Sequence, residues 1–273
     1  MKFVSYLQDG REAFGVVVGE SVVTLSGALG GRVNTLKDAI AAGALPELEK
    51  IAKGKPADRR LTDLEYLPVI TRPAKIVCVG FNYKSHADEA HHDLPEYPSL
   101  FLRLVNTLVA HEKPMIRPKV STRFDFEGEL AAVIGRRGRH IQPKDALSHV
   151  AGYTCFVDGS VRDYQKHSVT AGKNFIATGP LGPWMTTSEE IPDPTKLTLV
   201  TRLNGQEMQR SGTDMLVYSI PSIISYVSDI TLLEPGDIIA TGTPAGVGHR
   251  RNPQVWMKAG DTARFCGQEV AAV

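Results

Sequence analysis

Short runs of β-branched and aliphatic residues dominate the chain from residue 75 onwards, and helical patterns between them are few. The runs cover residues 75–80, 100–105, 127–135, 151–158, 197–203 and 237–241. The clearest helical pattern has Pro221 at its start and places Ile220, Ile223, Ile224 and Val227 on one face. Strands that outnumber helices and do not alternate with them argue against the βα repeats of a Rossmann fold or a barrel. The sequence therefore predicts a β-rich α+β fold.

The first seventy residues differ in pattern from the rest of the chain. Alternating runs at residues 14–18 and 21–25 precede helix-like stretches between Leu36 and Ala52, which Gly43 and Pro46 interrupt. A proline turn at Pro73 then leads into the next strand. We therefore predict a small N-terminal α/β module over residues 1–70 and a larger domain over residues 71–273.

Composition limits the classes of partner. The 273 residues include 31 basic and 30 acidic side chains, so the net charge of +1 creates no field that would recruit nucleic acid or an anionic membrane. Three scattered cysteines favour a reducing compartment, and no stretch approaches eighteen apolar residues. These features predict a soluble cytoplasmic protein whose partner is a small molecule.

Three carboxylates alternate along one predicted strand, at Asp125, Glu127 and Glu129, and strand geometry would turn them toward the same face. Two carboxylates about 5 Å apart repel by roughly 3 kcal/mol at an effective dielectric of ~20, so they must be solvated, protonated or neutralised by a cation. Asp158 ends another strand and is a candidate third ligand. Hard oxygen donors favour Mg²⁺, Mn²⁺ or Ca²⁺ over zinc. The spacing does not decide whether Asp125 or Glu127 pairs with Glu129, and a solvated strand face is the other interpretation.

Hydrogen-bond donors follow Asp158 in the chain. Arg162, Gln165 and Lys173 suit a substrate carboxylate or a developing oxyanion, although the two cations would also serve simply as partners of nearby acids. His86 and Glu89 stand three residues apart, which on a helix makes them either a water-activating pair or ordinary surface neighbours.

A glycine-rich turn follows the strand at residues 237–241. Its hydroxyl and backbone N–H groups would bind a small acid, unless the segment is only a tight turn. The chain has no phosphate-binding loop of the P-loop type and no G-x-S-x-G nucleophile elbow, which disfavours a nucleotide hydrolase and a serine hydrolase.

Taken in order, these segments resemble the fumarylacetoacetate hydrolase family over residues 75 to about 262. The resemblance is carried by the segments 80–83, 127–129, 158, 162–165, 172–175, 233–237 and 241–244, together with His86 and Glu89. It implies a C-terminal domain of the mixed β-roll or β-sandwich type, a small N-terminal domain and a homodimer.

The resemblance also assigns roles residue by residue. Glu127, Glu129 and Asp158 correspond to the metal ligands, which leaves Asp125 outside the ligand set. The other assignments are the lid dyad His86 and Glu89, the oxyanion and substrate donors Arg162, Gln165 and Lys173, and the substrate contacts Thr243, Gly242 and Arg103. Three positions depart from many members of the family: Arg103 replaces lysine, Val157 replaces asparagine and Ile176 replaces aspartate.

The implied activity is Mg²⁺-dependent hydrolysis of a carbon–carbon bond in a 2,4-diketo acid, such as an acylpyruvate from aromatic catabolism, through a metal-bound enolate. Two alternatives use the same site without an activated water: decarboxylation of an oxaloacetate-type substrate and isomerisation of a 2-hydroxy-dienoate. A catalytically silent protein that binds a metal and a keto acid is the third interpretation.

Overall fold

The structure is a computed structural model that describes residues 1–267. Its helices are few and short: α1 Leu36–Ala41, α2 Leu45–Lys53, α3 Lys84–Ala90, α4 Arg162–Gln165, α5 Val169–Lys173 and α6 Ile220–Ile230. The strands are β1 Lys2–Gln8, β2 Arg11–Val18, β3 Ser21–Thr24, β4 Arg59–Arg60, β5 Glu65–Tyr66, β6 Ile76–Gly80, β7 Ser99–Leu102, β8 Leu108–Val109, β9 Phe124–Asp125, β10 Gly128–Ile134, β11 Val150–Val157, β12 Ser160–Val161, β13 Gly179–Thr187, β14 Thr198–Leu203, β15 Gln206–Gly212, β16 Ile238–Ala240 and β17 Ala263–Gly267. The predicted β-rich α+β character is confirmed.

One large sheet organises the described part of the chain. Its path is β4-β3-β2-β1-β13-β11-β10-β16-β6-β7, with β5 added beside β1 and β8 beside β13. The N-terminal strands join it where β1 pairs with β13, with Lys2 opposite Thr186. Residues 1–66 therefore extend the sheet of the larger part, and the predicted boundary near residue 70 stays a prediction. The last six residues of the predicted second domain, 268–273, lie outside the described residues.

The two predicted helical regions are confirmed. Helix α6 buries Ile220, Ile223, Ile224 and Val227, as their spacing predicts, and the Ser219 hydroxyl caps it by accepting the Ser222 N–H. Gly43, with φ 62°, separates α1 from α2. A positive φ costs glycine little, which explains the break at this position.

Two apolar clusters hold the helices against the sheet. Leu36, Ile40 and Leu48 of α1 and α2 pack with strand residues such as Phe14 and Val133. The buried face of α6 packs in a second cluster with residues of β6, β10, β11 and β16. The central strands are thus buried on both faces by these clusters, and their ends position the loops that follow them. No helix among residues 1–267 is both long enough and apolar enough to cross a membrane.

Candidate active site

Four strand ends meet at one edge of the large sheet. Because β10 runs antiparallel to β11, with Gly128 opposite Val157, the start of β10 lies beside the end of β11. Strand β16 is antiparallel to β10 and parallel to β6, so the ends of β16 and β6 reach the same edge. This topology brings the predicted residues 127–129 and 158 together with the loops after Gly80 and Ala240. The backbone bond from the Asp158 N–H to the Glu127 oxygen, 2.9 Å long, fixes the first two segments to each other.

Glu127, Glu129 and Asp158 form a buried carboxylate cluster in which one oxygen from each lies within 4.8 Å of the others. The expectation that Asp125 shares their face is wrong. Asp125 belongs to β9, which pairs with β12 in a separate two-stranded sheet, and Glu127 lies between β9 and β10. The alternation of a single strand therefore does not run through residues 125–129.

Cationic side chains neutralise part of this cluster. The Lys173 Nζ lies 2.6 Å from a Glu127 oxygen and 2.5 Å from an Asp158 oxygen. Arg162 Nη2 is 2.6 Å from the second Glu127 oxygen and 2.7 Å from Asp125. The polar partner of Glu129 is instead the Gly242 N–H, 3.0 Å away. Among the described residues, no Lys, Arg or His side chain forms an ion pair with Glu129.

These partners separate the two glutamates electrostatically. Burial, with the charges of Asp158 and Glu127 adding to it, raises the pKa of Glu129 well above its ordinary value. Burial would also raise the pKa of Glu127, but Lys173 and Arg162 outweigh it and lower that pKa. Within this cluster, the carboxylate of Glu129 is the one whose negative charge no side-chain cation of the described residues balances by an ion pair. Three oxygen donors within one ion's reach and an unbalanced Glu129 suit a hard divalent cation.

Arg103 lies behind Asp158 and does not line the cavity. Its guanidinium pairs with Asp158 and donates to the Gly159 carbonyl at 3.1 Å and the Thr178 hydroxyl at 2.7 Å. Gly179 leaves room for it, since an added Cβ would lie 3.0 Å from Arg103 Nη2. In this arrangement Arg103 orients a predicted ligand, and its predicted contact with substrate stays a prediction.

Gly242, like Arg103, contacts a predicted metal ligand and orients it. Its N–H reaches Glu129, and its φ of 103° favours glycine. A Cβ there would also lie 2.8 Å from the Asn82 side chain. Asn82, which is buried, donates to the Thr241 carbonyl at 2.8 Å and so fastens the loop after β6 to the loop after β16.

Helix α3 places His86 at the cavity wall. The imidazole is buried and lies 5.6 Å, centroid to centroid, from the Phe81 ring, to which it is nearly parallel. Its Nδ1 is 3.5 Å from Glu89 Oε2, and the Glu89 carboxylate accepts the Gly246 N–H at 3.0 Å. Glu89 therefore links α3 to the glycine-rich loop as well as lying beside His86.

Helices α4 and α5 carry the remaining predicted donors. Arg162 Nη1 donates to Gln165 Oε1 at 2.9 Å, which leaves the Gln165 amide nitrogen as a donor at the cavity. The close approach of α5 depends on Gly172, because a Cβ at this position would lie 2.3 Å from the Gln165 side chain. Lys173 at the end of α5 is thereby brought between two carboxylates.

Thr243 lines the cavity, and a buried residue that the sequence patterns did not single out holds it. Its hydroxyl donates to the Gly128 carbonyl at 2.9 Å and accepts from Gln209 Nε2 at 2.8 Å. Gln209 Oε1 in turn accepts the Gly128 N–H at 3.0 Å. Gln209 lies in β15 of the three-stranded sheet, and only the tertiary fold brings that strand beside β10.

The cavity that these residues enclose measures about 310 Å³, within the range of small-ligand sites. It also has lining residues to which the sequence analysis assigned no role: the aromatic Phe81 and Phe101 and the basic Arg123, Lys166, His249 and Arg250. The signal for the last two was the basic run that directly follows Gly248. Of the departures from the family pattern, Val157 is buried in an apolar cluster and Ile176 is 63% exposed.

A family model and a relative of known name match most of the chain. The family model "Fumarylacetoacetate (FAA) hydrolase C-terminal" matches residues 75–273. A relative from Bos taurus, named "Oxaloacetate tautomerase FAHD2A, mitochondrial", is 39% identical over 216 residues, which cover 78% of this chain and 69% of the relative.

Two solved structures extend the similarity to nearly the whole chain. A fumarylacetoacetate hydrolase from Exiguobacterium antarcticum superposes with a TM-score of 0.86 at 31% identity, covering 99% of this chain and 96% of its own. A maleylpyruvate hydrolase from Sphingobium sp. SYK-6, in complex with manganese (II) ion and pyruvate, gives a TM-score of 0.83 at 28% identity with the same coverage. The chain belongs to the fumarylacetoacetate hydrolase family.

Proposed function

We propose that this chain is a divalent-metal-dependent tautomerase that interconverts the enol and keto forms of a small 2-keto acid such as oxaloacetate. The observation that carries the proposal is the buried cluster of Glu127, Glu129 and Asp158 at the floor of a small cavity, with hydrogen-bond donors beside it. The Bos taurus relative, whose name states this activity, adds support.

The cluster would hold Mg²⁺ or Mn²⁺, and the bound cation would polarise the 2-oxo group so that a proton on the adjacent carbon becomes more acidic. Lys173 serves as a hydrogen-bond donor to substrate oxygens and not as a base. Burial would lower its pKa, but Asp158 and Glu127 outweigh that effect and raise the pKa, so the ammonium form persists.

His86 is the proposed proton carrier. It accepts the proton from the substrate carbon in one direction and returns it in the other, which is the task of a positioned general base. Gln165 donates its amide N–H to a substrate oxygen. Phe81 and Phe101 supply apolar wall beside these groups and limit the water that would compete for the proton.

Carbon–carbon hydrolysis of an acylpyruvate is the second candidate function. It needs an activated water, and the observation in its favour is His86 Nδ1 at 3.5 Å from the Glu89 carboxylate. The maleylpyruvate hydrolase with a similar structure adds support. Decarboxylation of oxaloacetate and a catalytically silent site remain as outcomes of the same assay.

The test follows the decay of enolic oxaloacetate by absorbance, with pyruvate release and acylpyruvate cleavage measured in parallel. EDTA should abolish tautomerisation and Mg²⁺ or Mn²⁺ should restore it. His86→Ala should lower the rate by about a hundredfold or more. His140→Ala is the matched control, since that imidazole is exposed and pairs with Asp229 at 2.9 Å. If the protein cleaves acylpyruvates and does not accelerate the decay of the enol, the hydrolase function is supported and the tautomerase function is refuted. Inactivity on every substrate would favour the catalytically silent site.

A further inference from the structure

The mouth of the cavity is basic, whereas its floor is acidic. The acids that line it within the described chain are Glu127, Glu129 and Asp158, all buried. Five Lys or Arg side chains line the same cavity, and three of them, Arg123, Lys166 and Arg250, are exposed at its opening together with the half-buried His249. With a divalent cation at the floor, the cavity carries an excess of positive charge that the ligand must balance.

A buried carboxylate fixes the position of this basic group. Asp125, which is fully buried, accepts the backbone N–H of Gly248 at 2.8 Å and of His249 at 3.0 Å, and the Arg162 Nε at 2.8 Å. Gly248 permits this approach, because a Cβ would lie 2.7 Å from the Asp125 carboxylate. The Arg123 carbonyl accepts the Arg162 N–H at 3.0 Å. The segments at residues 123 and 248–250 are therefore held at a fixed distance from the floor.

His249 is set up as a neutral donor. Burial, followed by the charges of Arg162 and Arg250, lowers the pKa of His249, and Arg123 adds to the effect. The Gln254 amide nitrogen lies 3.2 Å from His249 Nδ1, which makes Nδ1 the acceptor and leaves the proton on Nε2.

The arginine charges are only partly compensated. Arg123 Nε is 3.5 Å from Asp163, whose carboxylate also accepts the Ser121 hydroxyl. Arg250 and Lys166 have no acidic partner among residues 1–267. A donor imidazole flanked by guanidinium groups matches the geometry and the charge of a carboxylate.

We infer that Arg250, His249 and Arg123 bind the second carboxylate of a dicarboxylic 2-keto acid whose 2-keto acid end lies at the carboxylate cluster. The inference rests on the proposed function for the location of that first end. It makes these three residues specificity determinants: they select substrates with a negative charge at the distal end and contribute little to the proton transfer.

The test measures binding to the Mn²⁺-loaded protein, with Trp256 fluorescence as the readout, since its ring centroid lies 5.6 Å from that of His249. The probes are 2-oxoglutarate and 2-oxopentanoate, which have the same chain length and differ in the terminal carboxylate. The wild type should bind 2-oxoglutarate at least about tenfold more tightly. Arg250→Gln should lose most of that difference while binding 2-oxopentanoate within about twofold of the wild type, and Arg250→Lys should keep part of it. Arg137→Gln, which removes the same charge from an exposed site outside the cavity, should change neither affinity.

The outcomes separate the inference from the function on which it rests. Equal affinities of the two acids in the wild type, or an equal loss of both in Arg250→Gln, overturn the distal subsite and leave the proposed function standing. Discrimination that depends on Arg250 in a protein that does not tautomerise oxaloacetate supports the subsite and overturns the activity. Failure of both acids to bind the Mn²⁺-loaded protein overturns both.

Discussion

Replacing Glu129 by glutamine should stabilise the protein in EDTA and remove its response to divalent cations. In the structure, Glu129 lies within 4.8 Å of Glu127 and Asp158, and the Gly242 N–H is its polar partner. Each of the two repulsions amounts to roughly 3 kcal/mol at an effective dielectric of ~20. The attraction of Lys173 offsets about one of them, and the weaker hydrogen bond from Gly242 to an amide oxygen costs about 1 kcal/mol. The remainder, about 2 kcal/mol, is the expected gain for the variant.

Thermal unfolding in EDTA measures this gain. A chain of this size shifts its Tm by about 2–4 °C per kcal/mol, so the variant should melt roughly 4–8 °C higher. Adding Mn²⁺ should raise the Tm of the wild type and leave that of the variant unchanged. Asp158→Asn is the control with the opposite sign, because it removes the charged partner of Arg103 and one of the two charged partners of Lys173, and it should cost about 3 kcal/mol or more.

The advantage of the variant should also depend on pH. A carboxyl whose folded pKa is raised binds more protons in the folded than in the unfolded state, so its contribution to stability falls as pH rises above the ordinary glutamate value of 4.5. The difference between Glu129→Gln and the wild type in EDTA should therefore widen from about pH 5 to pH 8. A variant that melts below the wild type throughout this range would refute the reasoning, because Glu129 would then be adequately neutralised by the protein itself.

Two further changes test neighbouring parts of the structure. Lys173→Met should lower kcat about a hundredfold or more, because it removes the buried group that we propose as a hydrogen-bond donor to substrate oxygens. Near-normal turnover in steady-state assays would exclude Lys173 from the chemistry. We expect the chain to form a homodimer through the apolar side chains of Leu104 and Ile176, which are 57% and 63% exposed. The Leu104 N–H donates to Asn174 Oδ1, so the two segments lie side by side. Leu104→Asp should then convert the dimer into monomers. Sedimentation equilibrium measures the mass, and a monomeric wild type or an unchanged dimer would contradict this expectation.

Local sequence patterns predicted the elements of the fold better than their arrangement. The spacing of Ile220, Ile223, Ile224 and Val227 identified α6 because a helix repeats every 3.6 residues whatever its partners are. The alternation at residues 125–129 failed, since the chain leaves the strand between Asp125 and Gly128 and no local pattern records that departure.

The residues of the candidate site also fall into those that the sequence predicted and those that only the fold reveals. Residues 127, 129 and 158 were predicted from charge repulsion and from family resemblance, and the antiparallel pairing of β10 with β11 explains why they meet. Gln209 carries no local signal of its own, and His249 is marked only by the basic run that follows Gly248. Their positions depend on contacts across the fold, such as the bond from Gln209 to Thr243 and the N–H of His249 on Asp125.

Anomalous diffraction from crystals soaked with Mn²⁺ and oxalate tests the metal site on which the proposed function depends, because oxalate presents the two oxygens of a 2-keto acid end. A single manganese peak should appear within about 2.0–2.3 Å of carboxylate oxygens from Glu127, Glu129 and Asp158, with both oxalate oxygens completing its coordination. Manganese bound elsewhere, or no peak at this cluster at saturating Mn²⁺, would show that these three side chains do not form a metal site.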